Sequence, residues 1–179
     1  MKVYVIAGKA RSGKSTLGNM LKEKLLEKGY KPCIMQITYP LYHYAEDYFN
    51  YNKEKDPKPR EFLQEVGVEL IKNKLNKKRF LIDRLEEDIE ILSNYFDTFI
   101  ITDARFKTET DDFIKKYNAT VIKIEREFIS DLTDKQKMHT TEISTEEIDN
   151  YKYLFKNVKL DQLDELLENM INKEEDTIW

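Results

Sequence analysis

The chain has 179 residues, with 30 lysines and arginines against 34 aspartates and glutamates and a net charge of −4 at neutral pH. This length suits one domain, residues 1–179, with a core of ordinary size. The charge balance provides no basic field for nucleic acid or an anionic membrane, so we expect neither as a partner. The one cysteine, Cys33, excludes an internal disulfide bond and favours a cytoplasmic location.

The first predicted element is a short apolar strand over residues 2–7, and a phosphate-binding motif follows it. Residues 8–15 read Gly-Lys-Ala-Arg-Ser-Gly-Lys-Ser and match the pattern G-x-x-x-x-G-K-[ST] at every specified position. A helix predicted from residue 14 to 28 completes the strand, loop and helix order that the motif requires. Glycines allow the backbone N–H groups of such a loop to face phosphate oxygens. The motif therefore predicts a site for ATP and Mg²⁺.

Different residues of this loop have different predicted roles. Lys14 is expected to reach the β- and γ-phosphates as a catalytic cation, and the hydroxyl of Ser15 is expected to coordinate Mg²⁺. The helix that begins here directs its positive end at the same phosphates. The residues predicted to contact the nucleotide are Gly8, Ala10, Arg11, Ser12, Gly13, Lys14, Ser15 and Thr16.

The rest of the chain alternates between strands and helices. In chain order we predict a strand at 33–37, a short aromatic-rich helix at 42–51, a proline-broken surface loop at 52–59, helices at 60–75 and 81–92, a strand at 99–103, a helix at 106–117, a strand at 120–124, a weak fifth strand at 153–155, and a last helix from residue 160 with a frayed tail from residue 173. This alternation predicts an α/β fold, a parallel five-stranded sheet with helices on both faces.

Ligands of such sheets bind beyond the carboxyl ends of the strands, where Asp103 is expected to lie. P-loop proteins hold an acidic group at such a strand end, and it supports Mg²⁺ directly or through water. The alternative for Asp103 is a helix N-cap. Arg60 and Arg105 also lie near strand or helix ends, and a guanidinium binds phosphate bidentately. The alternative for each arginine is a surface salt bridge.

Several segments together make the chain resemble the phage-type deoxynucleoside monophosphate kinases, within the adenylate kinase-like group of P-loop kinases. They are the phosphate loop, Ile-Thr-Tyr-Pro-Leu at 37–41, Arg-Glu-Phe-Leu-Gln-Glu-Val-Gly at 60–67, Ile-Thr-Asp-Ala-Arg-Phe-Lys-Thr-Glu at 101–109, His-Thr-Thr-Glu at 139–142, and Asn157 before the last helix. These segments occur in the expected order over most of the chain.

The resemblance implies transfer of the ATP γ-phosphoryl group to a nucleoside 5′-monophosphate, with a deoxynucleotide favoured. An acceptor-binding region at about 38–75 and a small lid at about 126–150 are implied with it. Asn157 would lie near the adenine of ATP, and Arg105 and Arg126 would clamp phosphates as catalytic cations. The residues expected to bind the acceptor are Tyr39, Arg60, Gln64 and Arg105.

The sequence leaves other functions open. One alternative is an adenylate kinase or another small-metabolite kinase, and phosphomevalonate kinases are similar around the phosphate loop and the Asp-x-Arg segment at 103–105. A nucleotide-binding regulatory protein without catalysis is a further alternative, because the predicted lid lacks the paired arginines usual in adenylate kinase-like lids. In either kinase reading the expected partner is a small phosphorylated acceptor, and the protein is expected to be a monomer or homodimer.

Overall fold

The computed structural model describes residues 1–126 and 143–176, and these residues contain one parallel sheet. Its strands are β1 (Lys2–Ala7), β2 (Pro32–Met35), β3 (Thr98–Ala104), β4 (Thr120–Glu125) and β5 (Tyr153–Lys156). They are arranged in the spatial order β2-β3-β1-β4-β5, and every neighbouring pair is parallel. The predicted five-stranded parallel sheet is therefore confirmed.

Helices cover both faces of this sheet. They are α1 (Lys14–Glu27), α2 (Tyr39–Tyr48), α3 (Arg60–Gln64), α4 (Phe80–Leu92), α5 (Lys107–Tyr117) and α6 (Leu160–Asp176), with a π-helix at Glu65–Lys74. Helix α2 begins three residues before its predicted start because Pro40 suits the first turn of a helix. Helix α6 continues past residue 173, where fraying was predicted, because Glu174 accepts hydrogen bonds from Thr120 and Tyr153.

The alternation of β1 explains how the sheet is covered. Val3, Val5 and Ala7 face one side, and Tyr4 and Ile6 face the other. The first side packs on side chains of α2, α4, α5 and the π-helix, including Leu41, Ile71, Leu85, Ile89 and Phe113. The second side packs on α1 and α6, through Leu17, Leu21, Leu25, Leu163, Leu167 and Ile171. Both faces are thus buried, as the nearly continuous apolar strands require.

The helix predicted over residues 60–75 is α-helical only for its first five residues, and a π-helix takes over at Glu65. Gly67 lies against α2 at this point, because a Cβ on Gly67 would be only 2.8 Å from Cδ1 of Leu41. Apolar periodicity predicts that a segment is helical but does not distinguish i+4 from i+5 hydrogen bonding. Segments of π-helix are rare and often lie at functional sites.

The register of the sheet brings three strand ends together. Ala7 at the end of β1 is opposite Ala104 of β3 on one side and opposite Lys123 of β4 on the other. The phosphate loop therefore begins between the ends of two neighbouring strands. In the described part of the chain, no helix is both long enough and apolar enough to cross a membrane.

Candidate active site

The loop between β1 and α1 closes around the side chain of Lys14. This residue is only 7% exposed, and its Nζ donates hydrogen bonds to the carbonyl oxygens of Gly8 at 2.7 Å and Lys9 at 2.6 Å. Gly13 precedes α1 in a left-handed conformation with φ of 98°, which glycine adopts without strain. The first turn of α1 contains no acidic residue, so its positive end is available to an anion.

Close packing requires glycine at position 8, and the left-handed backbone favours it at position 13. A Cβ on Gly8 would lie 2.4 Å from the carbonyl oxygen of Ile124 and 2.9 Å from Oγ of Ser12. A Cβ on Gly13 would lie 3.6 Å from the guanidinium carbon of Arg126. The loop therefore packs directly on the end of β4, and the exposed Arg126 stands beside it.

The loop has a buried hydroxyl and a backbone turn that fit a phosphate. The hydroxyl of Ser12 is buried and has no hydrogen-bond partner among the described residues, and a buried hydroxyl without a partner is costly. Arg11 has a left-handed backbone with φ of 58°, as turns that gather N–H groups often require. Ala10 is buried, whereas Ser15 and Thr16 are exposed in the first turn of α1. These residues fit a triphosphate with its Mg²⁺.

Asp103 fastens β3 to the segment that follows β2. Its Oδ1 accepts a hydrogen bond from the backbone N–H of Ile37 at 2.8 Å. Its Oδ2 accepts two from Thr38, from the backbone N–H at 3.0 Å and from Oγ1 at 2.6 Å. Three of the carboxylate's acceptor positions are therefore occupied by protein donors, and at least one remains for a water or another donor.

Beside Asp103 lies a cleft, which we call the acceptor cleft. It contains three residues that the sequence assigned to acceptor binding: Arg60, Gln64 and Arg105. The apolar and polar residues that line it are Ile37, Thr38, Leu41, Lys58, Arg60, Leu63, Gln64, Gly67, Val68, Lys72, Leu81, Asp103, Arg105, Phe106 and Glu109. An apolar floor with a few converging polar groups is the usual form of a small-molecule site.

A buried glutamate shapes the turn that presents Arg105. Oε2 of Glu109 accepts hydrogen bonds from the backbone N–H groups of Arg105 at 2.9 Å and Phe106 at 3.2 Å. Its Oε1 pairs with Nζ of Lys72 at 2.8 Å, and Lys72 lies 3.7 Å from the centroid of the Phe106 ring. The π-helix is thereby tied to the start of α5. Glu109 and Lys72 were not predicted as site residues, although a glutamate three residues into a helix is a recognisable capping signal.

The electrostatics of the cleft involve two further residues that sequence reasoning missed. Burial, together with the nearby Asp103 carboxylate, raises the pKa of Tyr42 to about 12. Desolvation of its ammonium end, with Arg60 and Arg105 nearby, lowers the pKa of Lys58. Lys58 as a whole is exposed, but its Nζ lies 5.6 Å from the centroid of the Tyr42 ring. The segment 52–59, predicted as a surface loop, thus contributes a cation to the site.

The remaining predicted site residues lie elsewhere. Tyr39 does not line the cleft: it is 53% exposed and packs against the edge of His43, with ring centroids 4.5 Å apart. Asn157 follows β5, and its backbone N–H donates to the carbonyl oxygen of Glu125 at 2.9 Å. It therefore lies at the same end of the strands as Arg126. Most of the predicted lid, and the segment 139–142, lie outside the described residues.

The acidic residues give little support for a metal site built by protein alone. Within residues 1–126 and 143–176, no group of three histidine, cysteine, aspartate or glutamate side chains could hold a metal ion. Mg²⁺ in phosphoryl-transfer sites commonly takes only one or two protein ligands and completes its shell with phosphate oxygens and water. A site based on the hydroxyl of Ser15 and the nucleotide phosphates is consistent with this pattern.

Solved structures with a similar fold include shikimate kinases and an APS kinase. The shikimate kinase of Aquifex aeolicus is 17% identical with a TM-score of 0.50, and the match covers 99% of this chain and 98% of that one. An APS kinase mutant from Mycobacterium tuberculosis is 13% identical with a TM-score of 0.52, covering 97% and 96%. Shikimate kinase from Acinetobacter baumannii, in complex with shikimate, is 12% identical with a TM-score of 0.50, covering 99% and 94%.

No protein-family model matches the sequence, and no curated protein matches it. At these low identities the structural likeness concerns the fold: the chain has the fold of P-loop kinases.

Proposed function

We propose that this protein is a phosphotransferase that moves the γ-phosphoryl group of Mg-ATP to a small phosphorylated acceptor, with a deoxynucleoside 5′-monophosphate as the leading candidate. The observation that carries the proposal is the convergence of Arg60, Gln64 and Arg105 in one cleft. Arg105 of this cleft follows Ala104, which pairs with Ala7 just before the phosphate loop. A nucleotide-binding protein without transfer chemistry has no need of a second cationic site next to its triphosphate site.

The donor end of the proposed site is the phosphate loop. Backbone N–H groups from Gly8 to Thr16 would bind the phosphates, with the buried Ser12 hydroxyl as an additional donor. Ser15 would hold Mg²⁺, and Asp103 would support it through a bound water, since three of its acceptor positions are taken. Bound Mg²⁺ would neutralise charge on the donor phosphates. Asn157 would lie near the adenine.

The acceptor end is the acceptor cleft. Arg60 and Arg105 would bind the acceptor phosphate, and Gln64 would hydrogen-bond the rest of the molecule. The apolar floor, which includes Leu41, Leu63 and Val68, would exclude water from the acceptor. The strand register places Arg105 just past the β3 residue that pairs with Ala7, so the two substrates would meet between the ends of β1 and β3.

Transfer in this arrangement depends on position and charge more than on proton transfer. The phosphoryl transition state is loose and spreads negative charge over its oxygens, so cations fixed before the reaction stabilise it. Lys14, held by two loop carbonyls, would supply one such charge once phosphate replaces those partners. Arg126, beside Gly13, and Arg105, at the cleft, would supply the others.

The proposal predicts that ADP release from Mg-ATP depends on an acceptor. Purified protein is assayed with a panel of ribo- and deoxynucleoside 5′-monophosphates and with mevalonate 5-phosphate, against a control lacking acceptor. We expect one deoxynucleotide to stimulate ADP release most strongly. Stimulation by mevalonate 5-phosphate or AMP instead would retain the phosphotransferase and change its substrate. ATP binding with no stimulation by any acceptor would contradict the proposal and favour a regulatory nucleotide-binding protein.

A further inference from the structure

A further cation enters the acceptor cleft from the segment between α2 and α3. We propose that Lys58 is a third binding residue for a dianionic phosphate group of the acceptor, acting together with Arg60 and Arg105. This inference rests on the proposed function, because it concerns the substrate that would occupy the same cleft. It goes beyond that function by assigning the proline-flanked segment to phosphate binding.

The backbone between Lys58 and Arg60 has the geometry of a tight turn. Pro59 has φ of −79° and ψ of 63°, and the N–H of Arg60 donates to the carbonyl oxygen of Lys58 at 2.8 Å. These values define an inverse γ-turn, in which the central residue reverses the chain within three residues. Proline fixes φ near this value in advance. The turn therefore holds two cationic residues in a constant relation, and both line the cleft.

The described residues that line the cleft include more cations than carboxylates. Lys58, Arg60 and Arg105 are cations, and the carboxylate of Asp103 is hydrogen-bonded to Ile37 and Thr38. Lys72 and Glu109, in the same wall, neutralise each other in an ion pair of 2.8 Å. A phosphate group, with its several anionic oxygens, is the kind of ligand that a lining with this composition favours.

Placing three cations together has a cost that an anion removes. Arg60 on α3 and Arg105 after β3 are close enough to act on the charge of Lys58, and its Nζ lies 5.6 Å from the ring centroid of the half-buried Tyr42 of α2. Desolvation lowers the pKa of Lys58, the Asp103 carboxylate opposes this, and the two arginines lower the pKa further. A bound phosphate favours the charged ammonium, so anion binding should be accompanied by proton uptake at alkaline pH. The affinity for phosphate should therefore fall as pH rises through the lowered pKa of Lys58.

The first test measures anion binding without turnover. Inorganic phosphate is titrated calorimetrically, at about pH 8, where it is mainly a dianion, into protein whose phosphate loop is saturated with Mg²⁺ and the β,γ-imido analogue of ATP. Lys58→Met should weaken phosphate binding about 10-fold, the usual loss for one charge-assisted contact. Lys55→Met is the matched control, because Lys55 lies in the same segment but does not line the cleft. The phosphate affinity of the Lys55→Met protein should stay within about 2-fold of the wild-type value.

The titration is repeated at pH values up to about 10 to measure how phosphate affinity depends on pH. A purely structural role of Lys58 would not change this dependence. Wild type should lose affinity with rising pH, and Lys58→Met should show a flatter profile. Equal affinity of Lys58→Met and wild type would overturn the inference, as would failure of wild-type protein to bind phosphate in this state.

A second test uses turnover with the acceptor that the panel identifies. Lys58→Met should raise the KM for that acceptor about 10-fold with a smaller change in kcat, and Lys58→Arg should restore most of the affinity. An unchanged KM in Lys58→Met would overturn the inference even if the phosphotransferase activity is established. If instead no acceptor is turned over, the proposed function fails, and the phosphate titration alone decides whether Lys58 belongs to an anion site.

Discussion

Replacing Lys14 with alanine is expected to lower phosphoryl transfer by at least about 10³-fold, equivalent to about 4 kcal/mol of transition-state stabilisation. The physical reason is the loss of a cation that the loop holds at the phosphates. The fold should survive, because the two hydrogen bonds that Lys14 donates to Gly8 and Lys9 lie within the loop. Turnover is measured with the best acceptor of the panel, and folding by circular dichroism and thermal unfolding.

Lys9→Ala is the control for this prediction. Lys9 belongs to the same loop, but its side chain is exposed and forms an ion pair with the exposed side chain of Glu146, which is 137 positions away in the sequence. Exposed pairs of this kind contribute little to stability, so this variant should keep nearly full turnover. A folded Lys14→Ala protein with activity close to that of Lys9→Ala would refute the assignment of Lys14 as a catalytic cation.

The sequence predicted the parallel sheet, and the order of strand, loop and helix around the phosphate-binding motif, because both depend on local signals. Apolar strands that alternate with amphipathic helices allow few arrangements other than a covered parallel sheet. The positions of Gly8 and Gly13 in the motif correspond to contacts that no other residue would allow at Gly8 and to a left-handed backbone at Gly13. Such constraints act over a few residues and are therefore visible in a short motif.

The walls of the acceptor cleft were predicted only in part, because their geometry depends on contacts between distant segments. The pairing of Lys72 with Glu109 links residues 37 positions apart, and Asp103 reaches back 66 positions to Ile37. No periodicity encodes these partners. Lys58 lies in the surface loop that was predicted from polar, charged residues and two prolines, and it also lines the cleft next to the turn at Pro59. The signal that could have identified it is the spacing Pro-Lys-Pro-Arg at 57–60, a constrained turn with cations on both sides.

Asp103 shows how a correct position can leave a role undecided. Its place at the end of β3 agrees with a metal-supporting carboxylate, yet the structure occupies it with backbone donors. These hydrogen bonds hold the segment after β2 against β3 and so set one wall of the cleft. The Asp103 carboxylate would support the metal through water with one lone pair and positions Thr38 with others. One substitution distinguishes these two roles, because each role predicts a different effect.

Asp103→Asn is expected to destabilise the protein by about 1–3 kcal/mol and to lower kcat/KM for the acceptor at least about 10-fold. The new amide nitrogen would face an N–H donor of Ile37 or Thr38, which leaves a donor without an acceptor in the wall of the cleft. For a protein of this size the loss corresponds to a fall in Tm of roughly 5 °C. Thermal unfolding and acceptor kinetics at several Mg²⁺ concentrations measure both effects.

Asp97→Asn provides the comparison at the other end of the same strand. Asp97 accepts hydrogen bonds from the backbone N–H of Lys31 and from Oγ1 of Thr98, so its loss should also lower Tm. It lies at the opposite end of the strands from the phosphate loop, so turnover below the unfolding transition should be unchanged. A fall in activity confined to Asp103→Asn would therefore come from the cleft and not from lowered stability. If Asp103→Asn instead kept its Tm and required far more Mg²⁺, its main role would be metal support, and the positioning role would be refuted.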